Sequence, residues 1–174
     1  MLIPDDFRDL STLPNVVLDI RYATSDNFME MVVRGYDEPH CWMHPDGFER
    51  LTILVERLTQ AGLGLWIWDA FRPKCATAHM VEWVRETGQE WILEQGFILE
   101  DSRHNRGVAI DLTLYDLATG QILDMGTDWD HFGPEGHWDG VTGLPMENRR
   151  RLREAMVSVG FIPYDVEWWH FEIP

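Results

Sequence analysis

The chain has 174 residues, of which 45% are hydrophobic, and this length and composition are typical of one globular domain. Its formal net charge of −16 makes binding to nucleic-acid phosphates or to anionic membrane surfaces unfavourable. A small ligand whose own charges cancel is not disfavoured in this way.

The N-terminal sequence, Met1 to Asp6, has neither the basic segment nor the continuous apolar segment of a signal peptide. No apolar run approaches the length of a membrane span. The two cysteines, Cys41 and Cys75, do not form a CxxC pair, and we interpret both as free thiols in small-hydrophobe roles. These features predict a cytoplasmic protein with no nucleic-acid or membrane partner.

In the first third of the chain, residues 15–22 and 28–33 are predicted to be extended. Pro45 opens a helix whose apolar residues recur at helical spacing, and Gly62 is its predicted stop. Between residue 33 and Pro45 lie three potential metal ligands, His40, Cys41 and His44. A structural zinc site there is disfavoured because such sites use four protein ligands, and no fourth is nearby.

The apolar run at residues 63–68 predicts a buried strand that leads into Asp69-Ala70-Phe71-Arg72-Pro73. Pro73 suits a first helical position, so helices are predicted from there to about residue 86 and over 89–95. Arg72 therefore lies in a strand-to-helix turn, from which side chains commonly reach a functional site. The alternative is a surface ion pair between Arg72 and Asp69.

Residues 108–114 alternate in the pattern of a strand, and Asp111 lies within it. A carboxylate between apolar neighbours is costly to bury unless a positive partner meets it, and a metal ion is one such partner. His104, just before the strand, is a second possible ligand. His170, near the C-terminus, is a third.

The remaining chain predicts a hairpin connection at 116–121, a helix over 146–159 and strand character over 161–173. The long polar, aromatic and glycine-rich segment at 126–143 is predicted to serve a function such as covering a site. The run Arg149-Arg150-Arg151 is interpreted as a solvated helix face, given the acidic net charge.

Three ligands drawn from His and Asp, with one open position, are typical of catalytic zinc. Zinc would lower the pKa of its water to about 7, and Glu167 is the candidate base for that water. Residues three apart in a regular strand face opposite sides, so Glu167 and His170 can share a site only through a bulge or twist, or if Glu167 precedes the strand. The alternative is a strand with two core tryptophans and a partly exposed histidine.

Two motifs together indicate a family. The segment from Ser102 to Asp111 matches the SxHxxGxAxD pattern of zinc peptidases that act on peptidoglycan D-amino acids, and Glu167 to His170 matches their ExxH element. Residues 69–73, 22–28 and 111–115 resemble the D-alanyl-D-alanine dipeptidases in particular. The resemblance covers almost the whole chain in order. It implies an α+β fold with a small central antiparallel sheet and flanking helices, forming one zinc peptidase domain over residues 1–174.

The resemblance also implies the reaction, which is hydrolysis of the D-Ala-D-Ala dipeptide to two D-alanines with one zinc ion per chain. Glu167 would be the base and then the acid that protonates the leaving amine, and Arg72 would stabilise the oxyanion. The zinc ligands would be His104, Asp111 and His170. The substrate termini would be held by Ser102 at the carboxylate, by Asp130 at the ammonium, and by Tyr22.

Two departures from the dipeptidases concern the cavity, because the segment between Arg72 and Ser102 is shorter and the chain ends soon after His170. A more open cavity would admit longer peptides, so the alternative function is a D,D- or L,D-carboxypeptidase acting on peptidoglycan stem peptides. The missing export signal argues against that alternative. A metal-stabilised binding module without catalysis is a further alternative, and it has no use for Glu167 or Arg72.

Overall fold

The computed structural model describes residues 3–39 and 41–174. Within these residues, helices and strands alternate along much of the chain. In chain order they are β1 (Arg8–Asp9), β2 (Val16–Leu18), β3 (Trp42–Met43), α1 (Pro45–Gln60), β4 (Leu63–Asp69), α2 (Lys74–Glu86), α3 (Trp91–Glu94), β5 (Ala109–Asp116), α4 (Leu144–Ser158), β6 (Ile162–Pro163) and β7 (His170–Glu172). Short 3-10 helices cover Leu10–Thr12, Arg21–Ala23, Arg103–Arg106 and Pro134–Gly136.

The central sheet has five strands in the order β2-β4-β5-β7-β6. Its pairs are antiparallel except for β2 and β4, which run parallel at one edge. β1 and β3 form a separate antiparallel ribbon. The predicted α+β fold with flanking helices is confirmed. The parallel edge pair is a feature that the sequence pattern did not indicate.

β5 occupies the middle of the sheet and is buried along almost its whole length, from Ala109 to Tyr115. The inward and outward faces of this strand are therefore both covered, which explains why it carries few charged residues. Asp111 and Thr113 are its buried polar residues. A functional reason is needed for a carboxylate at the centre of such a strand.

Two predicted extended segments take other forms. Residues 28–33 form turns because the side chain of Asn27 accepts a hydrogen bond from the Met29 amide and donates to the carbonyls of Arg21, Thr24 and Met31. The predicted strand at 161–173 divides into β6 and β7, with a turn between them. This turn places Glu167 three residues before the start of β7.

The register between β4 and β5 shifts between Ile67 and Asp69, so Trp68 is an extra residue in a bulge. As a result Asp69 lies directly opposite Asp111. The ring of Trp68 stacks on Trp129 at 5.8 Å and 11° between planes, and it meets Trp168 edge-on at 6.1 Å. These three tryptophans form a cluster beside the functional site.

The loop before α1 does not show a metal site among its described residues. His40 lies outside them, Cys41 is buried, and His44 caps α1 by accepting a hydrogen bond from the Asp46 amide at 3.3 Å. Cys41 and Cys75 are free thiols. No described helix combines the length and the apolar character needed to cross a lipid bilayer.

Candidate metal centre and active site

Three elements bring the candidate metal ligands together. Asp111 on β5 and His170 on β7 are cross-strand neighbours, so both side chains leave the same face of the sheet. His104 comes from the 3-10 helix Arg103–Arg106, which Ser102 caps and which ends at Gly107 with a φ of 63°. Glycine adopts this left-handed conformation without steric cost, and the sharp exit leads the chain directly towards β5.

The three ligand atoms converge. The distances are 2.9 Å from His170 Nδ1 to Asp111 Oδ1, 3.2 Å from His104 Nε2 to His170 Nδ1, and 3.4 Å from His104 Nε2 to Asp111 Oδ1. For ligand bonds of about 2.0–2.1 Å, neighbouring ligand atoms around a tetrahedral zinc ion are about 3.3–3.4 Å apart. Among the described residues, these three form the group that could hold a metal ion, and all three are buried.

The outer atoms of the three ligands are also engaged. His104 Nδ1 donates to the Ala70 carbonyl at 2.7 Å, and His170 Nε2 lies 3.2 Å from Glu172 Oε1. Trp129 Nε1 donates to Asp111 Oδ2 over a long 3.5 Å. These contacts leave His104 Nε2, His170 Nδ1 and Asp111 Oδ1 facing one point, which is the arrangement of an oriented metal site.

The electrostatics of the group favour positive charge beside Asp111. Burial acts to raise the pKa of Asp111, but His104 and His170 outweigh burial and hold the pKa well below its usual range. Burial acts to lower the pKa of His170, but its hydrogen bonds to Asp111 and Glu172 raise the pKa to about 10. The charges at this centre therefore favour a bound cation beside Asp111.

Glu167 lies next to this group without being part of it. Its amide donates to the Tyr164 carbonyl and its own carbonyl accepts from the His170 amide, both at 3.2 Å, so the chain turns there. The turn brings Glu167 Oε2 to 3.8 Å from His170 Nδ1. Of the arrangements that let Glu167 and His170 share a site, the structure has the one in which Glu167 precedes the strand. Burial raises the pKa of Glu167 well above its ordinary value, although His170 opposes that shift.

Arg72 is buried in the same cavity, so the ion pair with Asp69 that was considered as a surface feature is an interior one. Its Nε and Nη2 lie 2.9 and 2.8 Å from Asp69 Oδ2, and Nη2 lies 3.8 Å from Asp111 Oδ2. The other carboxylate oxygen of Asp69 accepts a hydrogen bond from Tyr36 at 2.6 Å. The guanidinium is thus oriented by a fixed carboxylate. Burial acts to lower the pKa of Arg72, but Asp69 together with Tyr22, Tyr36 and Asp111 outweighs burial and raises the pKa, so the group stays charged.

The three predicted substrate-binding residues line the cavity that also contains Glu167, Arg72 and the ligand group. Tyr22 donates from its hydroxyl to Asp130 Oδ2 at 2.8 Å. Burial and the nearby Asp111 raise the pKa of Asp130 well above its usual value, although Arg72 opposes that shift. Among the described residues, Asp130 forms no ion pair. Ser102 Oγ accepts a hydrogen bond from the His104 amide at 3.3 Å, and it therefore caps the 3-10 helix as well.

The long segment at 126–143 forms one wall of this cavity, as expected for a segment that covers a site. Its Phe132 ring lies 5.4 Å from the ring of Phe97, which belongs to a second apolar wall at residues 96–99. The interpretation of Arg149 as a solvated residue is wrong, because its side chain is buried. It donates to the carbonyls of Met125, Glu135 and His137 at 2.6–2.9 Å and so holds this segment in place.

Sequence reasoning missed two carboxylates of the site. Glu172 is two residues after His170 in β7, and strand alternation alone would have placed it on the same face as that ligand. Asp69 was considered only as a surface partner. Its inward orientation depends on the bulge at Trp68, for which the sequence offers no evident signal.

Convergent His and Asp ligands beside a buried carboxylate and a buried arginine define a metal-dependent hydrolase. In its fold the chain is similar to the solved structure of the LdcB LD-carboxypeptidase, which reveals how that protein recognises peptidoglycan. The TM-score is 0.57 at 14% identity, over 99% of this chain and 69% of that one. A likeness at this identity concerns the fold alone.

Sequence comparison identifies the family. The profile of peptidase family M15, described as D-ala-D-ala dipeptidase, matches residues 6–174. The chain is 34% identical to the D-alanyl-D-alanine dipeptidase of Enterococcus faecium over 168 residues, covering 88% of this chain and 83% of the relative. It is 33% identical to that of Escherichia coli K12, covering 95% and 83%. The chain therefore belongs to the M15 family of D-Ala-D-Ala dipeptidases and is a metallopeptidase.

Proposed function

We propose that this protein hydrolyses the D-Ala-D-Ala dipeptide to two D-alanines, using one zinc ion held by His104, Asp111 and His170 within a single domain over residues 1–174. The observation that carries the proposal is one buried cavity that combines this convergent ligand group with Glu167 and Arg72. The names of the relatives, each a D-alanyl-D-alanine dipeptidase, support the same substrate.

When bound, zinc supplies Lewis acidity to a peptide carbonyl and to a water molecule. Glu167 accepts the proton of the attacking water and then delivers it to the nitrogen of the leaving D-alanine. A carboxylate in water would be too weak a base for this task. Burial of Glu167 raises its pKa, and this supports both proton transfers.

Arg72 stabilises the negative charge that develops on the carbonyl oxygen during attack. A cation that is already oriented contributes strongly in a buried site, because no reorganisation is needed as the charge forms. The hydrogen bonds from Arg72 to Asp69 use the Nε and Nη2 edge of the guanidinium. The remaining Nη1 group is the one we assign to the substrate.

The substrate is dipolar, and the cavity offers a partner for each end. Asp130, with the Tyr22 hydroxyl, receives the ammonium group, which provides the cation that this carboxyl lacks. Ser102 receives the carboxylate. Both charges of the dipeptide are then met inside the cavity, so the acidic surface of the protein does not exclude the ligand.

A contact between two walls of the cavity supports a dipeptide over a peptidoglycan stem. The rings of Phe97 and Phe132 come from two different segments and are in contact. This contact limits the space between the two walls for a longer peptide. The two free thiols, Cys41 and Cys75, support a cytoplasmic site of action, which is part of the proposal.

The proposal is tested by measuring D-alanine release by the zinc-loaded protein. We expect rapid release from D-Ala-D-Ala and little from a stem pentapeptide that ends in the same two residues. Comparable turnover of the pentapeptide would favour the D,D-carboxypeptidase alternative, and cleavage of a tetrapeptide stem would favour the L,D-specific one. Absence of release from every peptide, with zinc bound, would leave only a binding function.

A further inference from the structure

The two histidines of the proposed metal centre are held by different kinds of partner. The outer nitrogen of His104, Nδ1, donates to a main-chain carbonyl, that of Ala70, at 2.7 Å, and Asp69 Oδ2 is more distant at 3.5 Å. The outer nitrogen of His170, Nε2, meets a side-chain carboxylate, that of Glu172, at 3.2 Å. A carboxylate binds an imidazole N–H more strongly than a neutral carbonyl does, and it increases the electron density of the ring.

Glu172 is itself fixed at both oxygens. While Oε1 faces His170, Oε2 forms an ion pair of 2.8 Å with Arg103 Nε without hydrogen-bond geometry, and Arg103 donates through Nη2 to the carbonyl of Ile173. β7 places residues 170 and 172 on one face, and Glu172 pairs with Ala109 of β5. The side chains of Arg103 and Glu172 are 30% and 23% exposed, so solvent only partly screens this pair.

Arg103 and Glu172 also connect the metal ligands through the chain. Arg103 immediately precedes His104, and Glu172 lies two positions after His170. Both residues line the cavity. One ion pair therefore ties the 3-10 helix that carries the first histidine to the strand that carries the other.

We propose that Glu172 is a positioning residue of the metal centre, which holds the proton of His170 on Nε2, keeps Nδ1 directed at the metal and strengthens it as a donor. Arg103 acts one step further out by fixing the carboxylate of Glu172. This inference rests on the proposed function, since it concerns the zinc ion that His104, Asp111 and His170 would hold.

An ion pair with a purely structural role predicts a different result. Its loss would lower the free energy of unfolding slightly and leave the affinity for zinc unchanged. Loss of an outer partner of a ligating histidine typically weakens metal binding by about 10–100-fold. The affinity of the folded protein for zinc therefore separates the two roles.

The experiment measures the dissociation constant of zinc by competition with a chromophoric chelator, for the full chain and its variants. We expect Glu172→Ala to bind zinc about 10–100-fold more weakly than the wild type. Glu172→Gln retains an acceptor but no charge, so its loss should be smaller. The control is Glu82→Ala, which removes the partner of Arg34 from an exposed pair of 2.6 Å and should bind zinc like the wild type.

Substitution of Arg103 tests whether this residue acts on the metal centre through Glu172. Arg103→Met should weaken zinc binding less than Glu172→Ala does. The double variant should bind zinc as weakly as Glu172→Ala alone, because Arg103 has no route to the metal once Glu172 is gone. Additive losses would mean that Arg103 acts on the centre independently, and would overturn this part of the proposal.

The visible absorption of the cobalt-loaded protein gives a second readout, since it reports the ligand field rather than stability. We expect the bands to shift in Glu172→Ala and to stay in place in Glu82→Ala. A wild-type protein that binds no metal would overturn the proposed function together with this inference. A wild type that binds zinc tightly, with Glu172→Ala and Glu172→Gln unchanged in affinity and spectrum, would overturn the inference alone.

Discussion

The two sides of the cavity are built in different ways. On one side, Asp69, Asp111 and His170 lie on three adjacent strands, β4, β5 and β7, and are fixed by the pairing of the sheet. On the other side, Asp130 and Phe132 belong to the segment at 126–143, which forms no strand. Two of the three proposed metal ligands and the carboxylate that orients Arg72 lie on the sheet, whereas Asp130, proposed to receive the substrate ammonium, lies on the loop.

The loop side is also held in place, but mainly by hydrogen bonds from side chains and not by strand pairing. Arg149 of α4 donates to three carbonyls of the loop or its immediate neighbour, at residues 125, 135 and 137. Trp168 adds two hydrogen bonds, from its amide to Gly136 at 3.0 Å and from its indole to Thr127 at 2.8 Å. Because Arg149 provides three of these contacts, we expect its substitution to loosen the loop.

The largest effect should follow from a change on the sheet side. Asp111→Asn replaces the buried carboxylate by a neutral amide of similar size, so the site loses its anionic ligand and we expect loss of both zinc and activity. Metal analysis after gel filtration, with D-alanine release on the same sample, checks this. Asp116→Asn at the half-buried far end of the same strand is the control, and a zinc-loaded, active Asp111→Asn would contradict the proposed ligand set.

A smaller effect is expected from Glu167→Gln, which removes the proposed base and leaves the ligands intact. Zinc content should stay normal, while turnover falls by roughly two to four orders of magnitude. Steady-state kinetics and metal analysis of one preparation provide the test. A variant that keeps its zinc and most of its activity would move the role of base to another carboxylate, and Asp130 would be examined first.

Arg72→Lys tests whether the planar guanidinium of Arg72, and not only its positive charge, is needed for turnover. Turnover should fall by about 10²–10³-fold, nearly as far as in Arg72→Ala, because an ammonium group cannot reproduce the planar pair of contacts to Asp69 and the substrate. The kinetic constants for D-Ala-D-Ala measure this loss. If lysine restored most of the rate, a simple positive charge would be sufficient at this position.

The smallest effect on turnover is expected on the loop side. Arg149→Met leaves three loop carbonyls without their partner, so the free energy of unfolding should fall by about 3 kcal/mol. The zinc affinity should be unchanged, and KM for the dipeptide should rise more than kcat falls, since Asp130 is displaced. Urea unfolding and kinetics measure both quantities, and the exposed neighbour Arg150→Met is the matched control. An equal loss of zinc would mean that the two sides are not independent.

The same contrast explains which features could be predicted from the sequence. The strand with Asp111 and the helix from Pro45 follow from local periodicity, and the ligand motifs are local in sequence as well. The roles of Arg149 and Asp69 depend on distant contacts. Arg149 is in a basic run, yet the loop carbonyls that bury it come from residues 125–137. The inward turn of Asp69 depends on a bulge that is seen only once β4 is paired with β5.

The prediction that residues 28–33 are extended was wrong for a related reason. Its residues have extended propensity, but the side chain of Asn27 binds four backbone groups around it and replaces a sheet partner. Local propensity does not include such a competing hydrogen-bonding side chain. Glu172 differs from these cases, since its position beside His170 follows from alternation and could have been predicted.

The tryptophan cluster beside the cavity has a spectroscopic consequence. Trp129 donates to the carboxylate of Asp111 and stacks on Trp68, so its indole borders the proposed metal position on one side and couples to a second chromophore on the other. We expect occupation of the centre to change the charge at the indole N–H and with it the emission of this ring. The protein thus carries an intrinsic optical reporter, and titrations followed by fluorescence or near-ultraviolet circular dichroism need no attached label.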